Sequence, residues 1–114
     1  MAAVYVSNIV INAGTDFTQT FTLESSDSNS ALNLSSYTVR SQLRKQPSST
    51  NYVNFNCNII NPLGGNISIG LSTSITTSLK PGRYLYDVVI TENISNIKTR
   101  VIEGMALVRE GVTK

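Results

Sequence analysis

Residues 53–59 (VNFNCNI) decide the fold class, because apolar and polar side chains alternate along them without interruption. A period of two with one apolar face is typical of a half-buried β-strand. The apolar face comprises Val53, Phe55, Cys57 and Ile59. Residues 67–71 (ISIGL) repeat the alternation after the turn sequence 61–65 (NPLGG), so the two stretches predict a β-hairpin.

Five other stretches show strand-like patterns and complete the predicted architecture. They are Val4–Ile11, Asp16–Glu24, Tyr37–Lys45, Arg83–Glu92 and Lys98–Val108. Ser95–Asn96 is the predicted turn of a hairpin between the last two stretches, and Thr73–Leu79 is expected to form a short helical turn. About seven strands with turn signals between them predict an all-β, antiparallel β-sandwich. A small β-barrel fits the same periodicity.

The composition excludes more functions than it indicates. The chain of 114 residues is the size of one domain, and we expect residues 1–114 to form a single sandwich. It has no His and one Cys, which removes the commonest acid–base group, the commonest metal ligand and any internal disulfide. A net charge of +2 is too balanced for a surface that follows nucleic-acid phosphates, and no apolar run is long enough to span a membrane. We therefore expect no enzymatic activity, no cofactor, no metal, and neither nucleic acid nor membrane as a partner.

Two groups that could carry chemistry are better explained by structure. Cys57 belongs to the apolar face of its strand, and no His is present to activate it. Asp87 and Glu103 would be a carboxylate pair only if they shared a face, and a two-residue turn at Ser95–Asn96 places them on opposite faces. No catalytic residue is therefore predicted.

The segment 79–88 (LKPGRYLYDV) predicts how one strand begins. A Gly-containing turn followed by Tyr resembles the tyrosine corner of immunoglobulin-like sandwiches, in which the ring is buried and the hydroxyl bonds an upstream backbone group. On this interpretation Tyr84 is the corner, and Gly82 supplies a turn conformation that other residues adopt poorly. An ordinary Pro-Gly turn before an aromatic strand is the alternative.

The first predicted strand is apolar on both faces, whereas a sandwich strand normally buries one. One face carries Val4, Val6 and Val10, and the other carries Tyr5, Ile9 and Ile11. Such a strand near a terminus predicts an interface with a neighbouring subunit, although the chain's own tail or loops could also cover it. If it is an interface, Ile9→Asp should leave the domain folded and abolish assembly.

Glu103 is the one charged residue that the predicted hairpin register places on the buried side, opposite Val88. A lone buried carboxylate is costly unless it is paired. Either an Arg or a backbone donor therefore meets Glu103, which as a functional residue would be a charge at a subunit interface, or a bulge near Gly104 turns it outward into solvent.

Several segments together resemble small immunoglobulin-like domains of tailed-phage virion proteins. They are 17–23 (FTQTFTL), 32–44 (LNLSSYTVRSQLR), 82–88 (GRYLYDV), 100–104 (RVIEG) and 111–114 (GVTK). Such domains occur at the N-terminus of baseplate upper and tail-fibre proteins, and as free-standing virion structural proteins of cyanophage-like viruses. The resemblance implies an immunoglobulin-like sandwich, assembly into the particle and no catalysis, and it assigns no binding residues.

These observations together predict a non-enzymatic virion structural protein that binds other virion proteins in the tail, baseplate or fibre-attachment region. We expect several copies in a symmetric arrangement, made in the host cytoplasm because Met1–Val4 shows no start of a secretory signal. Because the chain ends after the sandwich, it is not expected to form a fibre shaft or receptor tip itself. The alternatives are a capsid decoration protein on the phage head and a carbohydrate- or receptor-binding module.

Overall fold

The computed structural model describes residues 5–24 and 31–112, so Val4 of the predicted interface lies outside the described residues. Within these ranges the chain forms nine strands and one short helix. They are β1 (Tyr5–Val6), β2 (Ile9–Asn12), β3 (Phe17–Thr22), β4 (Tyr37–Arg44), β5 (Val53–Asn54), β6 (Asn56–Asn61), β7 (Asn66–Leu71), α1 (Thr73–Ser78), β8 (Gly82–Glu92) and β9 (Lys98–Arg109). The short helix predicted at Thr73–Leu79 is confirmed.

The strands form two sheets that pack face to face as a β-sandwich. The larger sheet has the order β1-β9-β8-β4-β5, with β2 also paired to β9, and the smaller sheet has the order β3-β7-β6. The β1–β2 pair lies along one side of β9, and the stretch β5–β6 passes from the larger sheet to the smaller one at Phe55. Counted as continuous stretches, the strands number about seven, as the sequence predicts.

The predicted antiparallel sandwich is confirmed except at one edge of the larger sheet. Both β1 and β2 pair with β9 in parallel, with Tyr5 opposite Ile102 and Ile9 opposite Ala106. A period of two shows which face of a strand is buried but contains nothing about which strand lies beside it, or in which direction. The larger sheet is therefore mixed, and the N-terminal strand lies next to the last strand of the chain.

The core fills the space between the two sheets with aliphatic side chains. Its most completely buried members are Ile11, Leu23, Leu34, Leu43, Ile67, Ile69, Val88, Ile90, Val101, Ile102 and Val108. Full burial of one such side chain stabilises the fold by about 1.5–3 kcal/mol. Because strand side chains alternate, burying this set turns the intervening residues of each strand outward.

The β8–β9 hairpin has a register that differs from the predicted one. A bulge lies between Val88 and Val89, so that Val88 pairs with Ile102 and Val89 pairs with Arg100. Val101, the extra residue, and Ile102 are both fully buried. The bulge therefore lies before Gly104 rather than at it. The register differs from the prediction by two positions before the bulge, and the bulge reduces the difference to one position for the later residues of β9.

The connection between β8 and β9 also differs from the predicted two-residue turn. The amide of Glu92 donates to the carbonyl of Ile97 at 3.0 Å, and the amide of Asn96 donates to the carbonyl of Glu92 at 2.8 Å. Asn96 has a φ of 61°, a left-handed conformation that Asn tolerates better than most residues. The loop is thus longer than Ser95–Asn96, and this length accounts for part of the register difference.

Candidate interaction surface

The outward side of the larger sheet, here called the outer face, carries the most unusual surface of the molecule. The strand pairings order its residues in rows across β1–β2, β9, β8 and β4. The rows are Val10–Leu107–Arg83, Met105–Leu85–Arg44, Val6–Glu103–Asp87–Gln42, Arg100–Val89–Arg40 and Lys98–Thr91–Thr38. The outer face therefore passes from apolar residues at one end, through a charged row, to basic residues at the other.

Five neighbouring apolar side chains form what we call the apolar patch. Their exposed fractions are Val6 76%, Val10 48%, Leu85 36%, Met105 44% and Leu107 41%. Val10 pairs across the strands with Leu107, and Leu85 pairs with Met105, so the members adjoin one another. A contiguous exposed apolar surface on a soluble domain commonly marks a site of protein association.

An ion-pair cluster lies beside the apolar patch. Arg100 Nε lies 3.4 Å from a carboxylate oxygen of Asp87, and Arg100 Nη1 lies 3.7 Å from one of Glu103. All three side chains are substantially exposed, so each pair contributes at most about 1 kcal/mol to stability. The cluster therefore contributes little to the stability of the fold.

This cluster corrects the predicted position of Asp87 relative to Glu103. The two residues are direct cross-strand neighbours on the outer face, not residues of opposite faces. The bulge at Val101 turns Glu103 outward, so the costly buried carboxylate of the predicted register does not arise. Arg100 reaches both carboxylates and holds them as an ion-paired group.

The outer face is shallowly concave. Its depression has a volume of about 940 Å³ and is lined by Val6, Arg40, Leu85, Asp87, Arg100 and Met105, among others. Among residues 5–24 and 31–112, no group of three or more His, Cys, Asp or Glu side chains is arranged to hold a metal ion. The geometry suits a broad contact with another macromolecule.

The predicted interface residues of the first strand separate into two groups. Ile9 is 5% exposed and Ile11 is 0% exposed, and both belong to the core. The interpretation of these two residues as interface residues is therefore wrong, because the larger sheet buries this side of β2 against the smaller one. Val6 and Val10 are exposed members of the apolar patch, and Tyr5 is 37% exposed at the edge of the sheet.

Contacts at Ser7 attach the N-terminal strand to the sheet. The Tyr86 hydroxyl donates to the Ser7 carbonyl at 2.6 Å, and the Ser7 amide donates to the Glu103 carbonyl at 2.9 Å. A Cβ atom at Gly104 would lie 2.1 Å from the same Ser7 carbonyl oxygen. Gly104 therefore permits an approach of two backbones that no other residue would allow. A single Gly inside a strand pattern is the sequence signal that could have indicated it.

Two further contacts tie this region together. The Asn8 side-chain oxygen accepts a hydrogen bond from the amide of Met105 at 3.0 Å, which replaces a strand-to-strand bond where β1 passes into β2. Burial raises the pKa of Tyr86, whose hydroxyl remains a hydrogen-bond donor to Ser7. The edge of the outer face is thereby held in position by contacts within the chain.

The segment around Tyr84 has the geometry that the corner motif predicts. The Tyr84 hydroxyl donates to the Lys80 carbonyl at 2.8 Å, and the half-buried ring packs against the core. Gly82 has a φ of 142°, a conformation that favours glycine. The Lys45 ammonium lies 4.6 Å from the centre of the Tyr84 ring, a cation–π contact. These contacts fix the start of β8, which contributes Leu85 and Asp87 to the outer face.

Cys57 is placed where its thiol is chemically quiet. It is half-buried against the core, and burial raises the pKa of the thiol. Its sulfur lies 3.6 Å from the carbonyl oxygen of Phe55. A thiol that is difficult to ionise is a poor nucleophile, so the structure gives Cys57 a packing role.

Comparisons with known proteins concern the fold alone. No protein-family model matches the chain, and no curated protein matches it. A crystal structure of Listeria monocytogenes InlP is similar over 90% of this chain and 26% of that chain, with 16% identity and a TM-score of 0.48. The NK cell receptor Nkp44 is similar over 93% of this chain and 98% of that one, with 13% identity and a TM-score of 0.49.

A third similar structure is Drosophila N-cadherin EC1-3. It is similar over 95% of this chain and 32% of that chain, with 18% identity and a TM-score of 0.40. This chain thus spans about a quarter of the InlP chain and a third of the cadherin chain.

Within the described residues, no helix is both long and apolar enough to cross a membrane. The described residues form an all-β sandwich of two packed sheets.

Proposed function

We propose that this chain is a non-enzymatic virion structural protein of a tailed phage, which binds another virion protein through its outer face. The apolar patch is the observation that carries the docking role. The virion assignment is supported by the resemblance of segments such as 17–23 and 82–88 to small phage structural domains. The protein would act by burying the apolar patch and would perform no chemical step.

The size of the outer face is sufficient for this role. Four strand positions (β1–β2, β9, β8 and β4) about 4.8 Å apart, each with outward residues about 6.6 Å apart over five rows, give an area of roughly 600 Å², at the lower end of the standard interface size. A standard protein interface buries about 800 Å² on each partner. Because the side chains stand on a sheet fixed by the Ser7 and Tyr84 contacts, binding would order few additional groups, which favours affinity.

Attachment in the tail, baseplate or fibre region is the location we propose within the particle, in several copies. A capsid decoration protein would use the same kind of surface, and only its location distinguishes it. A carbohydrate-binding module is less well supported, because such sites rely on accessible aromatic rings. The exposed Tyr52 ring has the Arg44 guanidinium 4.6 Å from its centre, so one face of that ring is already occupied.

A first experiment tests the docking role by incorporation. Leu85→Asp combined with Met105→Asp places two charges in the apolar patch, and Leu63→Asp combined with Ile94→Asp is the matched control. Leu63 and Ile94 are 71% and 87% exposed and lie in loops away from the outer face. We expect both proteins to fold, and only the control to be recovered in purified particles by quantitative mass spectrometry. Equal incorporation of the two variants would refute docking through the outer face.

A second experiment tests the location. Particles purified from the host are labelled with an antibody against this chain and imaged by negative-stain electron microscopy. Label on the tail or baseplate supports the proposal, and label on the head would replace it with the decoration role. Particles that carry neither the label nor peptides of this chain would overturn the virion assignment.

A further inference from the structure

The charges of the described residues are divided unequally between the outer face and the rest of the molecule. The outer face carries six of the nine Lys and Arg residues but two of the seven Asp and Glu residues. The basic residues are Arg40, Arg44, Arg83, Lys98 and Arg100 of the rows described above, and Arg109, which is the next outward residue of β9 after Leu107. Elsewhere the described residues include two Lys and four acidic side chains. A nearly neutral protein therefore presents one distinctly positive face.

Several of these cations have no partner among the residues that the structure describes. Arg100 is occupied by Asp87 and Glu103, and Arg44 donates to Gln42 and Ser49. In the described ranges, Arg40, Arg83 and Lys98 form neither a hydrogen bond nor an ion pair. They lie at the two ends of the outer face, with the apolar patch and the ion-pair cluster between them. Charges left unpaired around an apolar surface are available to a ligand.

We propose that the partner of the outer face is an acidic protein surface with exposed apolar residues, one that is different from this chain. This inference rests on the proposed function, and it adds the chemistry of the partner. Apolar residues of the partner cover the apolar patch, and its carboxylates meet Arg40, Arg83 and Lys98. Two copies of this chain placed face to face would instead oppose two positive surfaces, which is unfavourable.

Nucleic acid is the other polyanion that a positive face could bind, and the side chains present do not favour it. Surfaces for single strands combine basic residues with aromatic rings on which bases stack. The outward positions of β4, β8 and β9 carry no aromatic side chain, and their centre is apolar and acidic. An acidic polypeptide with apolar residues can pair its carboxylates with the cations and cover the apolar patch.

The test uses three defined probes and the full chain labelled with ¹⁵N. The first is a peptide of about 20 residues in which Asp and Glu alternate irregularly with Leu, Val and Ser, a length that can span the face when extended. The second replaces each acid by its amide, and the third is an oligothymidylate of similar length. Amide chemical shifts report where each probe binds and how tightly.

We expect the acidic peptide to shift amides of β4, β8 and β9, and to lose about tenfold in affinity between about 50 mM and about 500 mM salt as its charges are screened. Arg40→Glu with Lys98→Glu should weaken binding by at least about tenfold, since it reverses two cations of the outer face. Lys45→Glu with Lys80→Glu makes the same change in net charge elsewhere and should alter affinity by less than about twofold.

Other outcomes of the same measurements would contradict the proposed partner. The acidic partner is overturned if the amide peptide binds as well as the acidic one, if oligothymidylate binds more tightly, or if no probe shifts the outer face at millimolar concentration. Concentration-dependent dimerisation through the outer face, seen by analytical ultracentrifugation, would assign it to a second copy. Absence of the chain from phage particles would overturn the proposed function while leaving a positive peptide result intact.

Discussion

The outward faces of the two sheets differ sharply, although both are built by the same alternation. The smaller sheet, β3-β7-β6, turns Thr18, Thr20, Thr22, Asn56, Asn58 and Ser68 outward, and its three strands contain no charged residue. The larger sheet turns outward the apolar patch, an ion-pair cluster, and cations that have no partner in the described part of the chain. The two faces thus bury similar aliphatic residues inside and differ in what they offer outside.

This difference has a physical consequence. Covering the outward side of the larger sheet would remove apolar surface from water, whereas the outward side of the smaller sheet has little apolar surface to remove. Hydroxyl and amide groups on the smaller sheet are well solvated, and Ile60, at the end of β6, is its exposed apolar residue. The five residues of the apolar patch instead leave apolar surface in water, and its burial is worth about 25 cal/mol per Å² before the costs of association. Core packing therefore explains stability in both sheets, while the outward residues of the larger sheet leave apolar and charged groups exposed.

The largest expected effect is the difference in unfolding free energy between substitutions on the inward and outward sides of β2. Ile9→Asp places a charge in the core and should cost at least about 4 kcal/mol of unfolding free energy or prevent folding. Val10→Asp, one residue away on the outer face, should cost less than about 1 kcal/mol. Urea unfolding followed by circular dichroism measures both. A stable Ile9→Asp protein that fails to assemble would restore Ile9 to the interface and contradict the inward position.

The second effect tests whether close backbone contact fixes the edge of the outer face. Gly104→Ala should destabilise the fold by about 3 kcal/mol, because a Cβ there collides with the Ser7 carbonyl oxygen. Gly14→Ala is the control, since a Cβ at Gly14 meets nothing within 4 Å and the cost arises only from its φ of 85°. That control should lose about 1 kcal/mol. Equal losses would show that the approach of Ser7 to Gly104 is not tight in solution.

The sequence predicted the inside of the molecule better than its edges. Alternation identified Phe55, Ile67 and Ile69 as inward residues, and all three are buried. It also separated Val10 from Ile9 and Ile11 correctly. The strand neighbours were not predictable, because side-chain alternation records burial and not pairing, so the parallel position of β1–β2 beside β9 appears only in the structure.

The outer face was missed for a related reason. Its rows join residues of β1–β2, β9, β8 and β4, which are far apart in sequence, and the predicted register of β8–β9 was wrong by one residue after the bulge at Val101. That single shift concealed the proximity of Asp87 and Glu103 and the pairing of Leu85 with Met105. Two adjacent buried residues, Val101 and Ile102, interrupt the alternation of β9, and this interruption is the signal that the prediction overlooked.

A smaller effect tests the corner that sets the start of β8. Tyr84→Phe removes the hydroxyl that donates to the Lys80 carbonyl and should cost about 1 kcal/mol, measured by thermal and urea unfolding. Tyr37→Phe is the control, because the Tyr37 hydroxyl lies 3.5 Å from its Glu92 acceptor and forms a weak bond. If Tyr37→Phe proves the more destabilising of the two, the corner does not contribute as its geometry indicates.

The smallest effect concerns a charge beside the smaller sheet that, unlike the cations of the outer face, already has a partner. The Asp16 carboxylate accepts hydrogen bonds from the Thr73 hydroxyl at 2.7 Å and the Thr73 amide at 2.9 Å, joining the start of β3 to α1. These bonds, the hydroxyl first, lower the pKa of Asp16 from its ordinary value of 3.8.

Because the pKa of Asp16 is lower in the folded state than in the unfolded state, the stability that these bonds contribute is complete above the unfolded pKa and is lost as pH falls through the folded pKa. Asp16→Asn should therefore lose less stability than the wild type between about pH 5 and about pH 2. Glu24→Gln should follow the wild type, since the Glu24 side chain forms no ion pair or hydrogen bond within the described ranges. If the unfolding free energies of the wild type and Asp16→Asn fell equally between about pH 5 and about pH 2, the Thr73 bonds would not stabilise the charged form of Asp16. Asp16, beside the smaller sheet, would then not differ from the cations of the larger sheet in having a partner that stabilises its charge.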